Sequence, residues 1–339
     1  MRNIWRVGAG LVLAGAVVTG AIVTSAIVTG AAAQPSGRLT IYTSQPSSQM
    51  AKVVEAFNKV HPKVQISLYR SGTTEVLNRL QAEFAAGRPQ ADVVLLADAV
   101  ATTQLKNDGR LMTYDKAPAG KIPAALIDPD KTFFGTKLIT TGIVTNTKLV
   151  SAPPASWQDL LAPDVAAKTI MAHPLYSGAA VIHVGTFAQQ KEFGWPYFEK
   201  LARGGAIAAK GNGAVIEAVA RGEKAYGVII EYMAFNAQWK GSPVSFVFPR
   251  EGVTAITQPV AILKTARNVE AARAFVDWQL SEEAQHQSVA QGYFPIFDGV
   301  APPKGYPQVS SLKIISGDLR DILAHDEDNK KRFTGLFGG

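Results

Sequence analysis

Cysteine is absent from the 339 residues of this chain, and histidine occurs only five times. The lack of cysteine excludes disulfides, thiolate nucleophiles and cysteine-ligated zinc. The histidines do not form HExxH or another metal-ligand spacing. The chain also lacks a Walker A segment, a G-x-G-x-x-G fingerprint and a G-x-S-x-G nucleophile elbow. These absences argue against an enzyme, which is kept as a less favoured alternative, and no cofactor is expected.

Charge is sparse and not clustered. Charged residues make up 18% and apolar residues 47% of the chain, which is typical of a globular protein with a sizeable core. The formal net charge is +7, but the longest basic run is Lys330–Arg332, so a nucleic-acid partner is not expected. A modest basic excess fits a small anionic ligand, although ordinary solubilising charge would look the same.

The first 33 residues have the features of a secretory signal peptide. Arg2 and Arg6 precede an uncharged, largely apolar run over residues 7–30, and Ala31–Ala33 supplies small residues for cleavage after Ala33. Loss of the two arginines would lower the net charge from +7 to +5. Export without cysteine fits a bacterial periplasm. An uncleaved segment would instead give a membrane-tethered sensor, which is the alternative of another class.

Strand and helix patterns alternate along the rest of the chain. Period-two or continuous apolar runs over residues 38–44, 63–70 and 91–98 predict strands, with amphipathic helices between them. The pattern restarts near residue 169. This alternation predicts an α/β fold with two doubly wound lobes and a ligand cleft between them. β-rich crossings near residues 138–146 and 253–263 would form a two-strand hinge.

The predicted lobes are discontinuous in sequence. Lobe 1 is expected to contain residues 34–142 plus about 260–339, and lobe 2 residues 143–259. The far C-terminal helices, from Ser310 onward, could pack on either lobe.

Four segments place small polar residues where a predicted strand or loop leads into a helix: residues 43–49, 71–75, 176–180 and 211–215. Helix N-termini present free N–H groups and the positive end of the helix dipole, which together bind phosphate, phosphonate or carboxylate groups. Each segment alone is explained by helix capping, but four of them at strand ends favour an anion site. Asp98 and Glu231 follow strands in a similar way, where they could pair with a ligand amine or a metal.

Several stretches resemble the periplasmic solute-binding proteins of ABC importers, in the ferric-iron-binding-protein-like branch. They are "LTIYTSQ", "ADVVLLAD", "SGAA", "NGAVIEAVARGEKAYGVIIEY" and "NVEAARAFVDWQLSEEAQ" followed by "VAQGYFPI". They extend over nearly the whole mature chain. The resemblance implies a type II-like periplasmic binding protein that acts as a monomer, closes on its ligand and docks on an inner-membrane permease.

The resemblance also allows a comparison with the iron-binding members. Their pattern implies a histidine in the first loop, where this chain has Pro46, and two adjacent tyrosines, where it has Tyr232 and Met233. The anion-binding serine-glycine element is present as Ser177-Gly178. A thioether is a poor ligand for a hard ferric ion. Iron, held by Tyr232 and Asp98, therefore remains the second reading.

The first reading is capture of a small organic anion, a phosphonate such as 2-aminoethylphosphonate or a phosphate ester. Hydroxyls and backbone N–H groups would bind the anion, Asp98 or Glu231 would bind a cationic group, and Tyr232 would hydrogen-bond or stack. The expected ligand-binding residues are Ser44, Gln45, Ser71, Gly72, Thr73, Thr74, Asp98, Ser177, Gly178, Ala179, Asn212, Gly213, Glu231 and Tyr232.

Overall fold

The computed structural model describes residues 34–339. The predicted signal peptide, its cleavage after Ala33 and the anchor alternative lie outside the described residues. The first α/β unit consists of β1 (Gly37–Thr43), α1 (Ser47–Val60), β2 (Val64–Arg70), α2 (Thr73–Ala85), β3 (Val93–Leu95) and α3 (Ala99–Asn107). The second consists of α4 (Pro163–Ala166), β5 (Thr169–Ala172), α5 (Gly178–Gln189), α6 (Gly194–Arg203), β6 (Ile207–Ala209), α7 (Gly211–Arg221), β7 (Tyr226–Ile230) and α8 (Glu231–Trp239).

Both units use the same strand arrangement. In the first, β1 pairs in parallel with β2 and β3, which gives the order β2-β1-β3. In the second, β5 pairs in parallel with β6 and β7, which gives the order β6-β5-β7. The strand order therefore reverses once in each unit, beside β1 and beside β5. Ligands of open α/β sheets bind outside the carboxyl ends of the strands at such points.

Two long strands join the units. They are β4 (Phe133–Asn146) and β9 (Thr254–Ile262), which pair with each other in an antiparallel manner. β9 also pairs with β3 of the first unit, and β4 pairs with β7 of the second and with β8 (Val244–Val247). The predicted two-lobed α/β fold with two β crossings is confirmed. The sheet is mixed because the crossing strands run against the parallel sets.

The remaining helices follow β9. They are α9 (Val269–Gln279), α10 (Glu282–Ala290), α11 (Leu319–Ala324) and α12 (Asp326–Phe337). α9 packs on β1 and β9, and its buried Phe275 joins the core of the first unit. α11 packs on α3 and α5, and α12 packs on α5 and α6. The two C-terminal helices therefore contact mainly helices of the second unit.

Two local predictions from the sequence need correction. The β-rich residues 225–232 predict a strand over their whole length, but β7 ends at Ile230 and Glu231 begins α8. Ser47 or Ser48 is expected to cap α1, but Pro46 occupies the N-cap position. Proline suits this position because its ring fixes φ and it has no N–H group. An N–H group at a helix start would have no partner within the helix.

No helix within residues 34–339 is long and apolar enough to cross a membrane.

Candidate functional site

An inner cavity of about 390 Å³ lies where the carboxyl ends of β1 and β7 meet the first turns of α2, α5 and α7. Ten of the predicted residues line it: Ser44, Gln45, Gly72, Thr73, Ser177, Gly178, Ala179, Asn212, Gly213 and Tyr232. Ser71, Thr74, Asp98 and Glu231 are not among its lining residues. The cavity thus brings together polar segments that are up to about 190 residues apart in sequence because both reversal points of the sheet face it.

Two helices of the second unit are tied together at this cavity. Ser177 is the N-cap of α5, and its Oγ accepts a hydrogen bond from the Ala180 N–H at 3.3 Å. The same oxygen accepts a hydrogen bond from Asn212 Nδ2 in the first turn of α7, at 2.9 Å. Within residues 34–339, the N–H groups of Gly178 and Ala179 form no hydrogen bond. They are free to bind an anion at the positive end of α5.

The first unit contributes hydroxyl and amide groups. Ser44 Oγ accepts a hydrogen bond from the Ala97 N–H at 2.9 Å, which joins the ends of β1 and β3. Gly72 is the N-cap of α2, and the Glu75 carboxylate accepts hydrogen bonds from its N–H group and from the Ser71 hydroxyl. The Ser71 hydroxyl is therefore hydrogen-bonded within the first turn of α2. The N-terminus of α2, at Thr73, lines the cavity.

The two units approach each other closely across the cavity. A Cβ atom on Gly72 would lie 2.2 Å from the carbonyl oxygen of Tyr176, so only glycine fits at this position. Thr74 Oγ1 donates to the Pro174 carbonyl at 3.3 Å. A Cβ atom on Gly178 would lie 1.8 Å from Asp98 Oδ2. The structure therefore shows the cleft in a closed arrangement.

Two cationic side chains that the sequence prediction did not include line the same cavity. Lys210 Nζ lies 3.0 Å from Glu75 Oε1 and 5.2 Å from the centre of the Tyr176 ring. Arg70 is the last residue of β2 and donates to the Ser44 carbonyl at 3.4 Å. Each directly precedes one of the four predicted polar segments. Their position at a strand end could therefore have identified both as candidate ligand-binding residues. Among the described lining residues, Glu75 is the one carboxylate, and Lys210 and Ser71 engage it.

A buried lysine lies behind the cavity wall. Lys137 is 1% exposed, and its Nζ donates to Gln45 Oε1 at 3.2 Å and lies 4.5 Å from the centre of the Tyr293 ring. Burial lowers the pKa of its ammonium group to about 7. No carboxylate forms an ion pair with it in the described part of the chain. Gln45 and Tyr293 both line the cavity, so one layer of side chains separates the Lys137 ammonium group from it.

Asp98 and Glu231 are buried carboxyl groups that accept hydrogen bonds from the backbone. Asp98 caps α3, where its Oδ1 accepts a hydrogen bond from the Ala101 N–H at 2.6 Å, and burial raises its pKa to about 6. Glu231 is fully buried and accepts a hydrogen bond from the Thr140 N–H at 2.6 Å. Burial raises the pKa of Glu231 to about 8. Both carboxyl groups contact the backbone of neighbouring strands and helices, which accounts for their position at strand ends.

Two buried tyrosines of the cavity, Tyr232 and Tyr293, favour the protonated phenol. The ring of Tyr232 lies 4.3 Å from that of Tyr293, and burial raises the pKa of both phenols. Phenolate ligation of a ferric ion would have to overcome this preference. Among the described residues, no group of three His, Asp or Glu side chains is placed to hold a metal ion. Met233 also lines the cavity, beside Tyr232.

Tyr293 and Gln258 were not predicted as cavity residues. Gln258 lies on β9, and its buried Oε1 has no hydrogen-bond partner within residues 34–339. Tyr293 follows α10, far from the other segments in sequence. Neither residue stands in a motif that marks a ligand site, so only the folded chain reveals them.

Residues 42–286 match the family of bacterial extracellular solute-binding proteins. The chain belongs to this family. Its members are the substrate-binding components of transport systems. The prediction of a solute-binding protein of an ABC importer is therefore confirmed. A probable ABC transporter periplasmic-binding protein of Sinorhizobium fredii, y4fP, is 25% identical over 289 residues, which covers 78% of this chain and 76% of the relative.

Solved structures show the same fold. The periplasmic binding protein AfuA of Actinobacillus pleuropneumoniae, with exogenous fructose-6-phosphate bound, superposes with a TM-score of 0.81 at 24% identity, covering 89% of this chain and 98% of AfuA. Iron-bound HitA of Pseudomonas aeruginosa superposes with a TM-score of 0.76 at 19% identity, covering 87% of this chain and 99% of HitA. The chain therefore has the fold of AfuA and HitA. This fold is compatible with both kinds of ligand.

Proposed function

We propose that this solute-binding protein captures a small organic anion, a phosphonate or phosphate ester, in the inner cavity and delivers it to an ABC permease of the inner membrane. The main support for this proposal is that three helix N-termini, at Thr73, Gly178 and Gly211, line one cavity. Arg70 and Lys210 add positive charge to the same lining. Helix N-termini and cations together favour phosphate or phosphonate groups.

The ligand would act by bridging the two units. Ser177 and Asn212 belong to the second unit, while Gly72 and Thr73 belong to the first. A ligand that contacts both sides binds the closed arrangement more tightly than the open one and shifts the population toward it. The closed form is the one that we expect the permease to recognise, with the binding protein acting as a monomer in the periplasm.

The amine of a ligand such as 2-aminoethylphosphonate would not meet a free carboxylate in the inner cavity. Glu75 is held by Lys210, and Asp98 and Glu231 do not line the cavity. We therefore place the recognition energy on the anionic group rather than on an amine. The rim contact with Glu75 is the one position where an amine could replace Lys210.

Thermal-shift measurements on residues 34–339 would test this function with 2-aminoethylphosphonate, phosphate, hexose phosphates and ferric citrate. A ligand that binds only the folded state raises the melting temperature once its concentration exceeds Kd. We expect a shift with phosphonates or phosphate esters. A shift with ferric citrate alone would contradict the proposal and support an iron carrier.

Ser177→Asp is the matched variant for this experiment. Aspartate can keep the N-cap hydrogen bond to Ala180, but it places negative charge beside the anion. Ser177→Asn is the neutral control, since asparagine also caps helices well. The aspartate variant should lose at least about 2 kcal/mol of binding free energy relative to the asparagine variant. Equal affinities would show that the anion does not bind at α5.

A further inference from the structure

An outer cavity of about 470 Å³ lies beside the inner one. The two cavities share four lining residues, which are Pro46, Gly213, Tyr232 and Met233. The shared residues come from both sides of the cleft, because Pro46 precedes α1 whereas the other three lie on α7 and α8. The two cavities therefore form neighbouring compartments of one cleft, with these four residues at the boundary.

Met233 is the flexible side chain at this boundary. It is half-buried in the first turn of α8 and packs against the core of the second unit. A methionine side chain is unbranched and rotates freely, so it can move aside or pack on an apolar surface. An aromatic ring at this position would fill the passage more rigidly. Met233 therefore lies where a ligand would have to pass to extend from one cavity into the other.

The outer cavity differs chemically from the inner one. Its lining is mixed, with apolar Ile216, Ala220 and Ala237 and the amides of Gln49 and Asn236. The Gln49 amide is already engaged by the Gln291 carbonyl and the Tyr293 hydroxyl. Asn236 Nδ2 donates to the Gln291 carbonyl at 2.9 Å, which fixes the amide and leaves its oxygen available. Such a mixed lining suits a carbon skeleton that bears hydroxyl groups.

The charged residues of the outer cavity also favour a hydroxylated substituent over a cationic one. Lys52 and Lys240 line it, and neither forms an ion pair within residues 34–339. Glu217 is the one carboxylate among its described lining residues. A substituent with hydroxyl or additional acidic groups is therefore compatible with this compartment, whereas a cationic substituent would meet two lysines.

From this arrangement, which rests on the proposed function of the inner cavity, we infer that the ligand has two parts. An anionic group occupies the inner cavity, and a hydroxylated substituent of several heavy atoms passes Met233 into the outer cavity. Met233 is then a specificity-determining residue. Both small and extended anions can bind, but extended anions make additional contacts in the outer cavity.

Calorimetric titration of residues 34–339 tests this inference with two pairs of probes. Inorganic phosphate and methylphosphonate represent the head alone, whereas a hexose 6-phosphate and a glycerophosphodiester represent head plus substituent. We expect the extended probes to bind at least about tenfold more tightly. Equal or weaker affinity of both extended probes would overturn the inference while leaving the proposed function intact. No binding by any of the four would overturn the proposed function and, with it, the inference.

Met233→Trp should fill the passage between the two cavities and weaken the extended probes at least about tenfold more than the short probes. Leu149→Trp, at an exposed position that lines neither cavity, is the control and should preserve both affinities. Ala220→Trp narrows the outer cavity from the other wall and provides an independent test if the first variant fails to fold. An equal loss for short and extended probes in the folded variants would contradict the two-part ligand.

Discussion

Gly72 and the carbonyl oxygen of Tyr176 face each other across the cleft so closely that a Cβ atom on residue 72 would lie 2.2 Å from that oxygen. Gly72 belongs to the N-cap of α2 and Tyr176 to the loop before α5, so the contact joins the two units. The glycine has φ −60° and ψ 155°, which any residue adopts. Its lack of a side chain is therefore required by the approach of the two units, not by the local backbone.

Gly72→Ala should hinder closure without disturbing the fold. The added methyl group would collide with backbone rather than with a flexible side chain, so the units must remain further apart. We expect ligand affinity to fall by at least about tenfold, or 1.4 kcal/mol. Small-angle scattering should show a larger radius of gyration in the presence of ligand. Gly120→Ala, where nothing lies within 4 Å of the new Cβ atom, is the control. Normal closure of Gly72→Ala would contradict the steric argument.

Lys137→Met should stabilise the protein near neutral pH and weaken anion binding. The pKa of this lysine falls from 10.5 to about 7 on folding, so its contribution to stability is present above pH 10.5 and lost as pH falls toward 7. The gain in melting temperature from the substitution should therefore grow as pH falls from about 10 to 7. A gain that does not vary over this range would contradict the lowered pKa.

The same lysine gives ligand binding a pH dependence. An anion in the inner cavity favours the protonated form of Lys137, so affinity in the unmodified protein should fall as pH rises through about 7. Titration calorimetry in two buffers of different ionisation enthalpy would detect the proton that is taken up on binding. In Lys137→Met this proton uptake should disappear. Identical uptake in both proteins would place the coupled group elsewhere.

Glu231→Gln should change how stability depends on pH. Burial raises the pKa of Glu231 from 4.5 to about 8, so the folded state favours the protonated carboxyl. This contribution is present below pH 4.5 and is lost as pH rises through 8, with each pKa unit equal to about 1.4 kcal/mol. The melting temperature of the variant relative to the unmodified protein should therefore rise between pH 5 and pH 8, since glutamine can still accept the hydrogen bond from Thr140. A constant difference would show that Glu231 ionises normally.

Lys210→Gln should affect binding much more than stability. Lys210 pairs with Glu75 at the exposed edge of the cleft, and exposed ion pairs contribute little to folding stability. Its charge faces the inner cavity, so the variant should bind anions more weakly and with a smaller dependence on salt. Lys59→Gln, which removes a similarly exposed pair with Glu55 far from the cleft, is the control. Equal affinities of the two variants would contradict a role for Lys210.

Much of the site could be predicted from local patterns. A helix start that follows a strand is visible in sequence, and ten residues chosen in this way line one cavity. The same rule selected Asp98 and Glu231, which are buried and do not line this cavity. A carboxylate at a strand end can cap a helix or face a ligand with the same neighbours in sequence. The orientation of its side chain depends on the elements packed around it.

The two α/β units, the crossing strands and the polar helix starts are predictable from sequence, because hydrophobic periodicity and capping are local properties of the chain. The approach of Tyr293, Gln258 and Lys137 to the cleft appears only in the folded chain. Only the tertiary structure, too, places Met233 at the boundary of two compartments. These positions follow from the relative placement of α8, β9 and the segment after α10, which depends on long-range packing that no short stretch of sequence specifies.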